Sequence, residues 1–333
     1  MNVAVHYSLP AAALVDAGRI KPDYFKCPAW PELIAMVRAR YPMYVHFPLR
    51  VGRGIGDAMD TETDQPADWA GVERLLAQTD TPFVNLHLEP TTDDHPDIPA
   101  DTTDPDHIEF LTDCLIRDVH AVVARFGPER VIAENVPNGD NCPRPAFLPE
   151  VVRRVIEECD CGLLFDISHA RRAARALGMD AADYIALLPV ERTREIHLTG
   201  IQQFDDRWIA VLRGAGLSES RIAQFAGRWQ DHLPFIDADW EFTAWSLDQI
   251  ARGRWGHPWI IAIEYGGTGP FWEALTDPGI LAADIPRLAA MVHACRVPET
   301  GKTRKVLPRG RQKERRGRKE RTMGRKTGIM QIA

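Results

Sequence analysis

Eight short apolar runs recur along the chain, and each stops at or beside a polar residue that is seldom buried without a partner. They cover residues 3–6, 23–27, 43–47, 83–88, 130–134, 162–167, 194–198 and 259–264. The runs are apolar at successive positions, as befits strands buried on both faces of a parallel sheet. Stretches of helical period separate them. Residues 31–40 open with Pro31, suited to a first helical position, and set Leu33, Ile34, Met36 and Val37 on one side. Residues 106–126, 149–159 and 181–188 behave likewise. Strands alternating with helices predict a parallel sheet covered by helices. Eight such units favour a closed (β/α)8 barrel over a doubly wound sheet, because no phosphate-binding glycine turn is present. The segment Gly52-Arg53-Gly54-Ile55-Gly56 has the spacing G-x-G-x-G, not the G-x-G-x-x-G that opens a helix over a dinucleotide.

Two segments break the repeat. Residues 89–106 are rich in Asp, Pro and Thr and read as a long loop after the fourth strand. Residues 199–239 form an excursion after the seventh, with a helix expected over 218–229. Long loops in a barrel of this kind are expected over the site. Charge divides the chain differently. Of the 333 residues, those from Gly301 on hold 13 Lys/Arg and two Glu, a net +11, against −7 for the whole and hence −18 for residues 1–300. The expected organisation is an acidic barrel over 1–297 and a basic tail over 298–333. That tail is too poor in apolar residues to offset its ordering entropy and so should be disordered. No apolar run approaches the ~18 residues of a membrane span. The first residues lack the basic-then-apolar order of a signal peptide, and six Cys give no disulfide-scaffold signature. A cytoplasmic protein is the expectation.

The ends of the strands carry the chemistry. His46 ends the third, His87 the fourth, Glu134-Asn135 the fifth and Asp166 the sixth, with His169 three residues on; His197 ends the seventh and Glu264 the eighth. Asp231-His232 lie in the excursion. In a barrel these carboxyl ends meet at one mouth. A single histidine there is readily explained as a hydrogen-bonded core residue, but buried Asp and Glu need partners, and one metal centre accounts for all nine at once. Imidazole and carboxylate without thiolate suit Fe, Mn, Zn or Co. The donors exceed the needs of one ion, which points to two or three ions sharing carboxylates. Glu89 and Asn135 are expected to orient imidazoles, His6 to pack or donate nearby, and His95 and His107 to be solvated. Cys159 and Cys161 read as buried apolar residues, and Trp240 and Trp245 as core or pocket wall.

Cys161-Gly-Leu-Leu-Phe-Asp166-Ile-Ser-His169, Asp183-Tyr184 through Arg192, and Glu195-Ile-His197-Leu-Thr-Gly200 resemble the multinuclear non-haem iron-dependent oxidative enzymes, a family that includes the methanobactin-biosynthesis oxidase. Tyr44-Val-His46, Asn85-Leu-His87, Glu134-Asn135-Val-Pro137, Asp231-His232 with Asp239-Trp240, and Ile263-Glu264-Tyr265 extend the resemblance over about residues 1–295. It implies a TIM barrel of the xylose-isomerase-like kind holding two or three iron ions. It also implies an O2-dependent oxidation of Cys residues in a ribosomally made peptide, often with a partner protein presenting that peptide. The family's Gly-His after the seventh strand is Gly200-Ile201 here, its Asp-x-His is the adjacent pair Asp231-His232, and the basic tail is not part of its pattern.

The same donors resemble the wider xylose-isomerase-like barrels. A sugar isomerase or epimerase using Mn2+ or Mg2+ would employ Glu134 and Glu264 as ligands and acid/base groups. An endonuclease-IV-like hydrolase fits less well, since a body of −18 offers nucleic acid no basic face. A metal-free binding or scaffold protein is the fourth reading. The catalytic carboxylates expected under the oxidase reading are Glu134, Asp166 and Glu264.

Overall fold

All eight apolar runs form strands, and their pairing closes a barrel. The computed structural model describes residues 1–139 and 141–295. The basic segment over 298–333 lies outside them, as does the second unit into which the chain divides, Val297–Ala333. The strands are β1 (Asn2–His6), β2 (Tyr24–Pro28), β3 (Met43–His46), β4 (Leu49–Val51), β5 (Met59–Asp60), β6 (Val84–Leu88), β7 (Val131–Glu134), β8 (Gly162–Asp166), β9 (Thr193–Leu198), β10 (Gly200–Gln203), β11 (Trp229–Leu233) and β12 (Ile260–Ile263). The main sheet runs β3-β2-β1-β12-β9-β8-β7-β6-β4-β5, and β10 pairs with β11 in a separate hairpin. Every ladder between β3 and β4 in this order is parallel; only β5 runs against its neighbour.

β3 and β4 stand far apart in this order, yet only Phe47 and Pro48 separate them in the chain. They are two halves of the third barrel strand, so the ring closes through a broken strand. Proline has no N–H to give a ladder, and a side chain repairs the gap. The Asn85 amide accepts from Phe47 N at 2.7 Å and donates to Phe47 O at 3.0 Å.

Side chains alternate along a strand. Ala4, Tyr44, Ile260 and Ala262 therefore meet as a small cluster, while a larger core, including Phe25, Leu86, Phe165 and Leu288, gathers strand and helix side chains. Burying each large side chain contributes roughly 1.5–3 kcal/mol. The expected helices form as Pro31–Arg38, Pro105–Phe126, Pro149–Glu158 and Ala181–Leu187. Three start on proline, and Asp104 and Asp180 cap the free N–H groups of two of them. None of the helices described is long and apolar enough to cross a membrane.

The glycine-rich segment after β4 wraps an internal anion. Gly52, Gly54 and Gly56 donate their N–H groups to the buried Asp118 carboxylate at 2.9, 2.8 and 2.7 Å. All three have positive φ, and a Cβ on Gly54 would lie 2.6 Å from Cys114 Sγ. A nest already filled by Asp118 has no N–H groups left for a phosphate.

Two expectations need correction. The helix over 218–229 is only Glu219–Ala223, and the excursion also holds a helix, Asp206–Gly214, and the β10–β11 hairpin. Gly227, at φ 76°, donates to Phe204 O and Arg228 O accepts from Phe204 N, which turns the chain from helix to strand pairing. His95 is buried rather than solvated. Its Nε2 lies 2.8 Å from Gly52 O, and Asp94 beside it pairs with Arg50 of β4, folding the loop back onto the barrel.

Candidate metal centre

Asp166 shows how the chain builds this site. It ends β8 and caps the next helix, Ile167–Leu177, without an intervening loop. Its Oδ1 accepts from His169 N at 2.8 Å, which leaves Oδ2 facing inward and places His169 one turn further on. Asn135, at the end of β7, spans to the same point. Its side chain bonds both N and O of Asp166, at 3.0 and 2.8 Å, and its carbonyl lies 2.9 Å from His169 Nδ1. A carbonyl only accepts, so Nδ1 carries the proton and a neutral His169 presents a bare Nε2.

Six of the nine expected donors lie around Glu134. His46 Nε2 and His87 Nε2 are 3.2 Å apart and lie 3.6 and 3.3 Å from Glu134 Oε2. Its other oxygen, Oε1, is 3.5 Å from both His169 Nδ1 and His197 Nδ1. Two groups could each hold an ion, His46-His87-Glu134 and Glu134-Asp166-His197, and Glu134 belongs to both. Glu264 Oε1 lies 3.2 Å from His197 Nδ1. The outer donors differ. Asp231 Oδ2 is 3.5 Å from His169 Nε2 but already pairs with Arg172 at 2.7 Å. His232 turns Nδ1 to the Glu264 carbonyl at 2.9 Å, from a left-handed backbone at φ 57°. Strain of that kind in a non-glycine residue gathers at functional sites.

The residues present suit a cation. Glu134 Oε2, Asp166 Oδ2 and His197 Nδ1 are buried with no hydrogen-bond partner, whereas buried polar atoms are almost always satisfied. Burial and the Lys26 charge hold His46 well below its ordinary pKa, in the neutral form that coordinates metals. Against the effect of burial, His87 and His197 hold Glu134 well below the usual carboxylate range. Burial, together with Glu264 and Glu134, pushes Asp166 up to about 6 despite His169. His197 is raised to about 10, because Glu264 and Glu134 outweigh its burial.

Three participants escaped the sequence reading. Lys26 of β2 is buried and ion-paired with Glu264. Glu195 accepts from His197 Nε2 at 2.9 Å and from the Tyr44 hydroxyl at 2.8 Å, which turns His197 Nδ1 toward the centre. Glu195 and His197, like Tyr44 and His46, sit two apart on one strand, so strand period alone puts each pair on one face. Among the expected helpers Asn135 holds, but His87 is oriented by the Leu49 carbonyl (Nδ1 to O, 3.0 Å) and not by Glu89. His6 is packed beside the site, pushed down to about 3 by burial and Lys26. Cys159 and Cys161 are buried free thiols, and Trp240 stacks on Phe235 in the core.

Residues 23–211 match the family model described as RiPP precursor modification enzyme MbnB/TglH/ChrH. That span is more than half of the chain. The chain belongs to this family. His46, His87, Glu134, Asp166, His169 and His197 fall inside the matched span; Asp231, His232 and Glu264 lie beyond it.

Among curated relatives, a UPF0276 protein of Anaeromyxobacter sp. (strain Fw109-5) is 37% identical over 28% of this chain and 35% of its own length. Another, from Acaryochloris marina (strain MBIC 11017), is 43% identical over 25% of this chain and 34% of its own. The chain thus spans about a third of the length of these relatives. A crystal structure of D-psicose 3-epimerase in the presence of D-fructose superposes with a TM-score of 0.50 at 12% identity, over 89% of this chain and 99% of that one. The likeness shows the fold, a TIM barrel shared with that epimerase.

Proposed function

We propose that the chain is an iron-dependent oxidase acting with O2 on a thiol of a peptide or small molecule. Two or three ions would be held by His46, His87, Glu134, Asp166, His169, His197, Asp231, His232 and Glu264. What carries the reading is the meeting of three unpartnered buried atoms, Glu134 Oε2, Asp166 Oδ2 and His197 Nδ1, in a member of a peptide-precursor-modifying family. Iron, when bound, supplies the electron transfer with O2 that side chains cannot.

The chain's own part is geometric and electrostatic. His46 and His87 point Nε2 at Glu134, which offers one oxygen to each side and suits sharing between two ions. Glu195 fixes the His197 ring, and Lys26 offsets the charge of Glu264. An epimerase would need Glu134 or Glu264 to take a proton from carbon. Despite burial, both are held well below the usual carboxylate range, Glu134 chiefly by His87 and His197, Glu264 chiefly by His197 and Lys26. A ligand need only stay ionised, and both carboxylates are held in that form. A protein that presents the peptide belongs to the same proposal; nucleic acid does not.

Anaerobically purified protein should contain iron, about two or three ions per chain, and its optical spectrum should change on exposure to air. Asp166→Ala, His169→Ala and Glu264→Ala should each abolish iron uptake. Full iron content in all three variants would overturn the site, and a redox-silent protein active with Mn2+ or Mg2+ would establish the epimerase instead.

A further inference from the structure

The nine donors of the centre are not equally free. His46, His87, Glu134, Asp166 and His197 make up the two groups that could each hold an ion, and Glu134 serves both. His169, Asp231, His232 and Glu264 remain for a third. Two of these are imidazoles. The other two are carboxylates, and each already faces a protein cation. Arg172 donates to Asp231 at 2.7 Å, and the Lys26 ammonium pairs with Glu264 Oε1. Imidazoles alone bring no negative charge to offset a buried divalent ion.

Lys26 is the more telling of the two cations. Lysine is among the residues least often buried, yet Lys26 is only 4% exposed. It sits on β2 with His6 of β1 and Tyr44 of β3 as its partners in register. Its Nζ meets the same oxygen, Glu264 Oε1, that lies 3.2 Å from His197 Nδ1. His6 and His232 also gather at Glu264, each within reach of its charge. His6 Nδ1 is buried without a hydrogen-bond partner. His232 turns its Nδ1 to the Glu264 carbonyl, which only accepts, so a neutral His232 has a bare Nε2. Two imidazoles and a carboxylate are donors that suit a divalent metal. Here an ammonium stands on the carboxylate.

We infer that Lys26 occupies the place of a third cation against Glu264, so that the centre takes two ions rather than three. The inference rests on the proposed metal centre and fixes its count. Lys26 is a positioning residue, since it acts through Glu264: while the ammonium holds Oε1, that oxygen is closed to a metal. The same pairing accounts for the severity expected of Glu264→Ala. Without its partner Lys26 would be a bare ammonium whose charge bears on His46 and His197.

The number of ions in the full chain tests this. Protein is loaded anaerobically with Fe2+, and a parallel sample with Zn2+. Both are freed of loose metal on a desalting column and measured by inductively coupled plasma mass spectrometry. Wild type should hold about two ions per chain, and Lys26→Arg, which keeps the charge, the same number. Lys26→Met removes the charge at similar length and should hold about three. If Lys26→Met does not fold, Lys26→Gln, which can still donate to Glu264, must gain the third ion. A role limited to packing would not raise the count. A wild-type count other than about two overturns the inference, and so does a count that stays there once the charge is gone. The two metals separate this inference from the oxidase reading. About two Zn2+ with the gain in Lys26→Met, but no iron, removes the oxidase and leaves the part of Lys26. About three Fe2+ in the wild type, with a spectrum that changes in air, removes the part of Lys26 and leaves the oxidase.

Discussion

Asp118 and Glu134 are both buried carboxylates, and the protein treats them in opposite ways. Asp118 receives three backbone N–H groups from the glycine segment, at 2.7–2.9 Å. Glu134 Oε2 receives none and faces the imidazoles of His46 and His87 instead. A carboxylate whose lone pairs are filled by peptide N–H groups holds two segments together. One left open inside a barrel lowers stability until a cation arrives. The contrast predicts a crossed result. Glu134→Gln should weaken iron binding by more than about 100-fold, beyond the effect of losing an orienting partner, with the metal-free fold no less stable. Asp118→Asn should leave iron content intact and cost about 3 kcal/mol in urea unfolding, since its new NH2 group would face N–H donors. If both variants lose stability and neither loses iron, the distinction between the two carboxylates is wrong.

Glu195 sharpens the comparison, because its carboxylate is satisfied and yet serves the centre. Removing its charge with Glu195→Gln should weaken iron binding by about 10–100-fold, the usual effect of losing a partner that orients a metal-bound histidine. Asp231 should matter less, since Arg172 already offsets its charge. Asp231→Asn is expected to retain iron to within about tenfold of wild type in a competition titration with a chelator. A loss as complete as that of Glu134→Gln would make Asp231 an equal member of the centre.

The barrel was legible because its signals are local. Apolar runs bounded by helical periods mark strands, and Asp166 and His169 advertise a cap and its first turn in three residues of sequence. The excursion was less legible. A helical pattern over 218–229 gives way once Phe204, far earlier in the chain, pairs with Gly227 and Arg228. The hairpin then covers an aromatic cluster of Phe204, Phe225 and Phe271 that no local window contains. Lys26 stayed hidden for a related reason. A lysine inside an apolar run looks like a residue turned to solvent until the barrel brings it against Glu264, 238 residues away in sequence. His46, Glu134 and Asp166 stood out because strand ends in this architecture share one mouth. Lys26 and Tyr44 did not, because their partners Glu264 and Glu195 are set by closure of the ring rather than by position at its rim.

Asp284 is a third kind of carboxylate, with neither a nest of N–H groups nor a ring of imidazoles. It lies half-buried on helix Pro278–Ala294, where burial pushes its pKa up from 3.8 to about 6 despite Arg287. Its folded-state pKa therefore exceeds the unfolded value, and the folded form favours the proton. The stabilising contribution is complete below the unfolded pKa and disappears as pH rises through about 6. Asp284→Asn cannot titrate, so its melting temperature relative to wild type should climb between pH 4 and pH 7 and then level off. Exposure to solvent keeps this the smallest of the expected effects. A relative melting temperature that stays flat over that window would show that Arg287 already satisfies Asp284. This carboxylate would then join Asp118 among the satisfied groups and leave the candidate metal centre as the region where open carboxylates gather.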